Sequence, residues 1–454
     1  MGKIGVPDSS APRPHESGSG KVEYLKSLDW TGGIKSMDKR GKGYYEWGIV
    51  GLLAVLGGVF MLNRLAIVYL FPFIISEFKI SYAQAGALAS VLAVTAALGI
   101  FVFGALSDRI GRKIIIIPAT ILFSLMSWAS GIAQNFLQMF LARALMGIGV
   151  GAVLPTSIAT IAAESTPSRR GFNFGLHTSL APLVSVGIGA ILVTQLTRIM
   201  SWRMVLFVVG VPGLLISIIL YFFMREPKTS TAYDDEDGNQ WRGIVPEKPG
   251  FFTPLKYRNV CISCVVNFLV MCCLVVFSTF SMVYLTEVLG FPISGAGILI
   301  SLIGFAGFAG CILLPMLSDH IGRKNVLIPS LFVLGLSFIG FISSGPSFPV
   351  LAILVGIAGF ATGGVAPIVI SAIPTESVPP HLAATASGIP ASIGEIFGAA
   401  LMPFVAGWLG DLYGLKTSLF CCAIPPLIAG FISLLYVETA PAVTGKRVVM
   451  ESME

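Results

Sequence analysis

Charge is scarce in this chain. Of its 454 residues only 11% are Asp, Glu, Lys or Arg, under half the roughly 25% of an ordinary soluble domain. With 55% hydrophobic residues the chain is not a disordered protein, which could not hold so much apolar surface in water. The same surplus argues against a soluble enzyme, since the excess would be left as large sticky patches. Cysteine offers no scaffold either. The seven cysteines, Cys261, Cys264, Cys272, Cys273, Cys311, Cys421 and Cys422, all sit in apolar runs, which speaks against a disulfide framework. Cys261 and Cys264 form a C-x-x-C, but without a second pair or a nearby histidine they read as packing residues. Phosphate-cradling loops, zinc spacings and nucleophile motifs are missing too, so ATP-driven pumping, enzymatic chemistry, metals and cofactors are not expected. The first 46 residues are polar, and we expect no cleavable signal peptide.

Long uncharged stretches are what the chain has instead. Each is long enough to cross about 30 Å of hydrocarbon as a helix of roughly 20 residues. Twelve spans are expected, near 47–73, 83–107, 114–133, 137–163, 171–197, 203–224, 260–289, 294–318, 325–344, 349–372, 383–410 and 416–437. The implied fold is an all-α integral membrane protein. Its expected parts are a tail (1–46), a six-helix bundle (47–224), a central loop (225–259), a second six-helix bundle (260–437) and a C-terminal tail (438–454). Of 29 basic residues, 23 fall in the tails and in the connections on their side of the membrane. Lys79, Arg198, Arg203 and Lys416 fall on the other. Basic residues favour the cytoplasmic face, so both termini are expected there, in a multi-pass protein of the cell inner membrane. The mixed aromatic and basic segment 21–46 is compatible with an interfacial segment or with a solvated leader.

The two halves repeat each other. Asp108-Arg-Ile-Gly-Arg-Lys113 returns as Asp319-His-Ile-Gly-Arg-Lys324, and Ala85-Gly86 returns at the same offset as Ala296-Gly297. Glu164-Ser-Thr-Pro167 is echoed by Glu376-Ser-Val-Pro379, and Val68-Tyr69-Leu70 by Val283-Tyr284-Leu285. Parallel six-helix halves are a transporter architecture, with substrate held between them near mid-membrane.

At these residues the chain resembles the major facilitator superfamily. Gly104-Ala-Leu-Ser-Asp108-Arg-Ile-Gly111-Arg112-Lys113 is similar to its signature between helices two and three. Arg143-Ala-Leu-Met-Gly147-Ile-Gly149-Val-Gly151 is similar to its fourth-helix signature. The second-half copy departs, with Pro315 for the glycine and His320 for the arginine. The resemblance implies two pseudo-symmetric bundles working by alternating access. It also implies that Asp108 braces the start of helix eleven, and that Arg112, Glu164 and Arg169 form an ion cluster that breaks on opening. Asp319, Arg323 and Glu376 are the second-half counterparts. Without the name, the same charges also serve simply as topogenic flanks.

Ionisable residues within the spans are the place to look for function, because each costs roughly 2.5–3.5 kcal/mol near the bilayer centre. They are Arg64, Arg143 and Glu395, with His177 as a further candidate. Arg64 is a permanent cation with a planar fork suited to a carboxylate. The anion:cation symporters of the superfamily, which this chain resembles most, carry Asp-Arg in helix one. Here Asn63-Arg64 keeps the cation and lacks the carboxylate. Glu395, stripped of water in mid-helix, would hold a proton more readily than in solution. It is the leading proton carrier, with His177 second. Arg143 is expected to be structural or coupling. Arg64 would bind the substrate, with Asn63, Tyr69, Asn267, Ser278 and Tyr284 as further substrate-binding candidates; Gln195 and Phe277 are further candidates to line the cavity.

The resulting expectation is a monomeric secondary transporter. It would import a small organic anion, aromatic or another carboxylate, by proton symport, with no nucleic-acid partner. A proton-coupled drug or metabolite efflux antiporter and a ligand-binding membrane sensor are the alternatives.

Overall fold

The computed structural model describes residues 30–166, 169–226, 253–379 and 382–440, with residues 443 and 445; no side chain of residues 30–42, or of 104, 105, 108 and 384, is included. Met1–Gly48 forms one compact unit, helical from Trp30 onward in its described part. The second unit is Ile49–Glu454, and every contact reported below lies within it. Among the described residues there are helices and turns but no strands.

Among the described residues, twelve helices are long and apolar enough to cross a membrane. They are α1 (Gly43–Tyr69), α2 (Tyr82–Ile110), α3 (Arg112–Ile132), α4 (Phe136–Glu164), α5 (Arg170–Leu196) and α6 (Trp202–Phe223) in the first half. The second half contains α7 (Arg258–Val288), α8 (Ile293–Ile321), α9 (Arg323–Ser343), α10 (Phe348–Glu376), α11 (Thr385–Tyr413) and α12 (Leu415–Ser433). One expected boundary is corrected. The first span does not run to residue 73, because Pro72 supplies no backbone N–H and starts a separate short helix, Phe71–Phe78.

Helix pairing repeats as the sequence does. α4 packs on α2 and α3, and α3 on α6; in the same way α10 packs on α8 and α9, and α9 on α12. The halves join through α2 on α11 and, equivalently, α5 on α8. Among the described residues, four helices contain π-helical turns: Leu183–Ile188 in α5, Tyr284–Val288 in α7, Pro367–Ala372 in α10 and Gly394–Ala399 in α11. Those in α5 and α11 stand at the repeat's offset of 211 residues. A π turn leaves backbone groups in need of outside partners and is often found at functional sites.

The repeated Gly-Arg-Lys turns show how the halves are braced. Gly111 and Gly322 have φ of 106° and 110°, conformations that only glycine adopts without strain. Each is followed by a helix whose first free N–H groups are taken by a distant carboxylate. Glu226 accepts from the Arg112 and Lys113 backbones at 2.6 and 3.0 Å, and Glu438 from Arg323 and Lys324 at 2.8 and 3.1 Å. An anion at a helix N-terminus satisfies these donors and the helix dipole together. Burial acts against the charged Glu438 carboxylate. The backbone N–H groups of Ala440, Arg323, Lys324 and Thr439 outweigh that and hold the carboxyl below its ordinary value of 4.5. The stability it contributes is therefore present above that value and lost as pH falls through the lowered one. Glu438→Ala is expected to cost about 1 kcal/mol. In melts of the purified protein the difference from wild type should be full at neutral pH and shrink at acid pH; a pH-independent difference would contradict this.

Candidate functional site

Within the spanning helices, Arg64 of α1 and Glu395 of α11 meet. The Arg64 Nη2 lies 2.7 Å from the Glu395 Oε1, an ion pair that joins the halves. The side chains are 17% and 30% exposed. Arg143 supports this arrangement from α4. Fully buried, it donates through Nη2 to the carbonyl of Arg64 itself at 2.7 Å and through Nη1 to that of Asn63 at 3.3 Å. A buried guanidinium thus fixes the backbone that presents Arg64. The glycines that follow Arg143 are packing surfaces. A methyl at Gly147 or Gly151 would overlap backbone oxygens of α2, and one at Gly149 would crowd α3.

Other candidates are turned away from this pair. Asn63 is 1% exposed, and its amide donates to the carbonyls of Val59 and, on α6, Val209, at 2.9 and 3.2 Å. The repeated tyrosines do equivalent work: Tyr69 donates to Ser185 on α5 at 3.1 Å, and Tyr284 to Ile342 on α9 at 2.9 Å. Both are buried, so helix packing, not ligand contact, uses their hydroxyls here. Phe277 is likewise in the core, stacked on Phe338 at 4.0 Å. Asn267 is 1% exposed and donates to the Pro390 carbonyl at 2.8 Å. Ser278 is partly exposed and donates to Val275 at 3.0 Å, while Gln195 lies beside Arg198. His177 is buried against Gly57 of α1, and among the described residues neither ring nitrogen has a hydrogen-bond partner.

On the side of the repeated motifs, Arg323 reaches Asp319 at 2.5 Å, Glu376 at 2.7 Å and the Ser318 hydroxyl at 2.7 Å. The Thr439 hydroxyl donates to Glu376 as well. In the first half, Arg112 donates to the Ala159 carbonyl at 2.8 Å, and Glu164 lies in the field of Arg112 and Arg225. Arg169 heads α5. The side chain of Asp108 lies outside the described residues.

The halves are also tied on the opposite side. Asp411, at the end of α11, accepts from the backbones of Tyr82 and Ala83 at 2.8 and 2.9 Å. It thereby caps α2 from the other half, while Ser81 caps the next turn locally. The Tyr82 hydroxyl donates to Glu287 of α7 at 2.9 Å. Nearby, Arg203 pairs with Glu77 at 2.6 Å, and the Trp202 indole donates to the same carboxylate at 2.7 Å. The Arg203 hydrogen bond, then that of Trp202, keeps the Glu77 carboxyl below its usual range. Sequence reasoning missed Glu77, Glu226, Glu287, Asp411 and Glu438. Only Glu226 and Glu438 left a signal, being 212 residues apart like Glu164 and Glu376.

Residues 53–396 match the family model described as Major Facilitator Superfamily. The chain belongs to that superfamily. It is a multi-pass membrane transporter, not an enzyme. The chain is 27% identical to a probable 4-methylmuconolactone transporter of Cupriavidus pinatubonensis, over 82% of this chain and 86% of that one. It is 24% identical to a benzoate transport protein of Acinetobacter baylyi, over 81% and 84%. Among solved structures, a bacterial homolog of the human lysosomal transporter Spinster, inward-facing and unoccupied, superposes with a TM-score of 0.75 at 20% identity, covering 86% of this transporter and 96% of that chain. At that identity the likeness concerns the fold.

Proposed function

We propose that the transporter imports a small organic anion, an aromatic or other monocarboxylate, by proton symport. The observation that carries this reading is the Arg64–Glu395 pair between the halves. One guanidinium faces one carboxylate, so an arriving substrate carboxylate competes with Glu395 for the same fork. If substrate takes Arg64, the displaced Glu395 is a charge without its cation in a poorly solvated place, and it takes up a proton. Proton and anion are then carried together. One proton with one monoanion moves no net charge, so the cycle responds to the pH gradient and not to voltage. Relatives named for benzoate and 4-methylmuconolactone support the substrate class.

Alternating access follows from the same reading: the side tied by Asp411, Tyr82 and Glu287 is shut, and the Asp319–Arg323–Glu376 cluster and its first-half counterpart gate the other. In this reading that other side and both termini are cytoplasmic, as the distribution of basic residues favours, and the membrane is the cell inner membrane. The proton gradient is the driving force, and a single chain suffices. His177 is the second proton candidate, although its burial favours the neutral imidazole.

Uptake of labelled carboxylates into proteoliposomes, with and without an inward proton gradient, tests the proposal. One or more acids should accumulate only with the gradient. In Glu395→Gln the gradient-driven accumulation should vanish while exchange of internal for external substrate persists. Accumulation unchanged by this substitution removes Glu395 as carrier. Proton-driven movement of a neutral or cationic compound, with flat uptake of every acid, replaces import by efflux.

A further inference from the structure

We infer that Asn267 on α7 is a positioning residue that aims Glu395 at Arg64. The inference rests on the proposed reading for its importance, but not for its geometry.

The segment that carries Glu395 is poorly held by its own helix. Pro390 has no N–H to give, and α11 turns into a π helix at Gly394. The Gly394 N–H is divided between the carbonyls of Pro390 and Ala391, so neither bond is at full strength. The shared Pro390 carbonyl is also held from outside: the Asn267 amide donates to it at 2.8 Å, at a site that is 1% exposed. Contact with α7 continues along the π turn. A methyl at Gly394 would overlap the Asn267 amide nitrogen and press on Met271, and one at Gly398 would meet the Met271 side chain at 2.5 Å. Gly394 and Gly398 therefore mark the face of α11 seated on α7. Glu395, the next residue, leaves the helix on a different face and meets Arg64 on α1. Phe268 packs on Phe397 and adds to the same seat. Arg64 is the charged group facing Glu395 here; α7 offers this segment Asn267, Phe268, Met271 and Cys272, none of them charged.

Asn267 makes its contact at a backbone carbonyl five residues before the carboxylate it controls. A side chain that merely fills space would not couple to Glu395, whereas a positioning residue must. Purified full-length protein and four variants decide the matter without a substrate: Asn267→Ala, Glu395→Gln, their double variant, and Gly394→Ala. Infrared difference spectra taken with and without Glu395→Gln isolate the Glu395 carboxylate band. In the Asn267→Ala background that band should move, because the carboxylate no longer rests on Arg64. Thermal melts should show coupling, with Asn267→Ala costing several degrees in wild type and about half of that or less once Glu395 is already neutral. Should Asn267→Ala fail to fold, Gly394→Ala displaces the same amide from the α11 side and should move the same band. An unmoved band overturns the inference whatever the melts show. Loss of proton-driven accumulation in Glu395→Gln belongs to the carrier reading and is scored separately, so either idea can fail alone.

Discussion

Arg64→Gln is expected to lower carboxylate uptake in proteoliposomes a hundredfold or more. Arg64 brings the permanent positive charge on α1 to the junction of the halves, and it already bonds a carboxylate at 2.7 Å. Removing one partner of a hydrogen-bonded charge pair costs about 3 kcal/mol where water is largely excluded, and each 1.4 kcal/mol is about tenfold in affinity. The pair is partly exposed, so the stability cost to the protein itself should be smaller than this. Arg64→Lys should not restore uptake, since an ammonium lacks the planar fork. Nor should the double variant Arg64→Gln, Glu395→Gln, which removes the unpaired carboxylate without supplying a cation. If folding is the true cause, all three variants will melt early. If anion binding is the cause, they will melt near wild type and fail to take up substrate. Uptake within threefold of wild type in well-folded Arg64→Gln would remove Arg64 from the binding site.

The second large effect is expected at the seam between α2 and α11. Gly86 lies one turn beyond Tyr82, and a methyl there would overlap the carbonyl oxygen of Pro403. The obstacle is backbone, which has no rotamer to yield, so the helices must separate. Overpacking of this kind typically costs about 1–3 kcal/mol. That is enough to shift a two-state equilibrium by roughly fivefold to over a hundredfold. Gly86→Val should therefore disfavour the arrangement in which Asp411 caps α2. Spin labels at residues 198 and 416, with the exposed Cys261 and Cys421 replaced by serine, report on the two halves at this side. The distance between them should lengthen, and net uptake should fall at least tenfold. A wild-type distance distribution with normal uptake would show that the seam tolerates the methyl.

Gly86 also shows what kind of information was legible beforehand. Ala85-Gly86 and Ala296-Gly297 stood out as a repeat, and both glycines are cross-half contacts, Gly86 on Pro403 and Gly297 on the Thr194 side chain of α5. The pattern was visible but its partner was not. Arg64 and Glu395 were legible as costly intramembrane charges, since any such charge must find a partner or a use. The tyrosine repeat was legible in the same sense and misread in role. Tyr69 and Tyr284 share a position because both fasten one helix to another, through Ser185 and Ile342.

Composition, the spacing of uncharged runs and the duplicated motifs determined the membrane class, the twelve helices and the two related halves. These properties are local: a run of apolar residues is long enough to span a bilayer or it is not, whatever surrounds it. Only the tertiary structure decided which polar groups meet. The helices are hydrophobic nearly all round, so periodicity does not reveal the face that turns inward. Packing between helices sets each rotation instead. It turned Asn63 towards α6 while its neighbour Arg64 met Glu395, and it placed Asn267 under the π turn that presents that carboxylate.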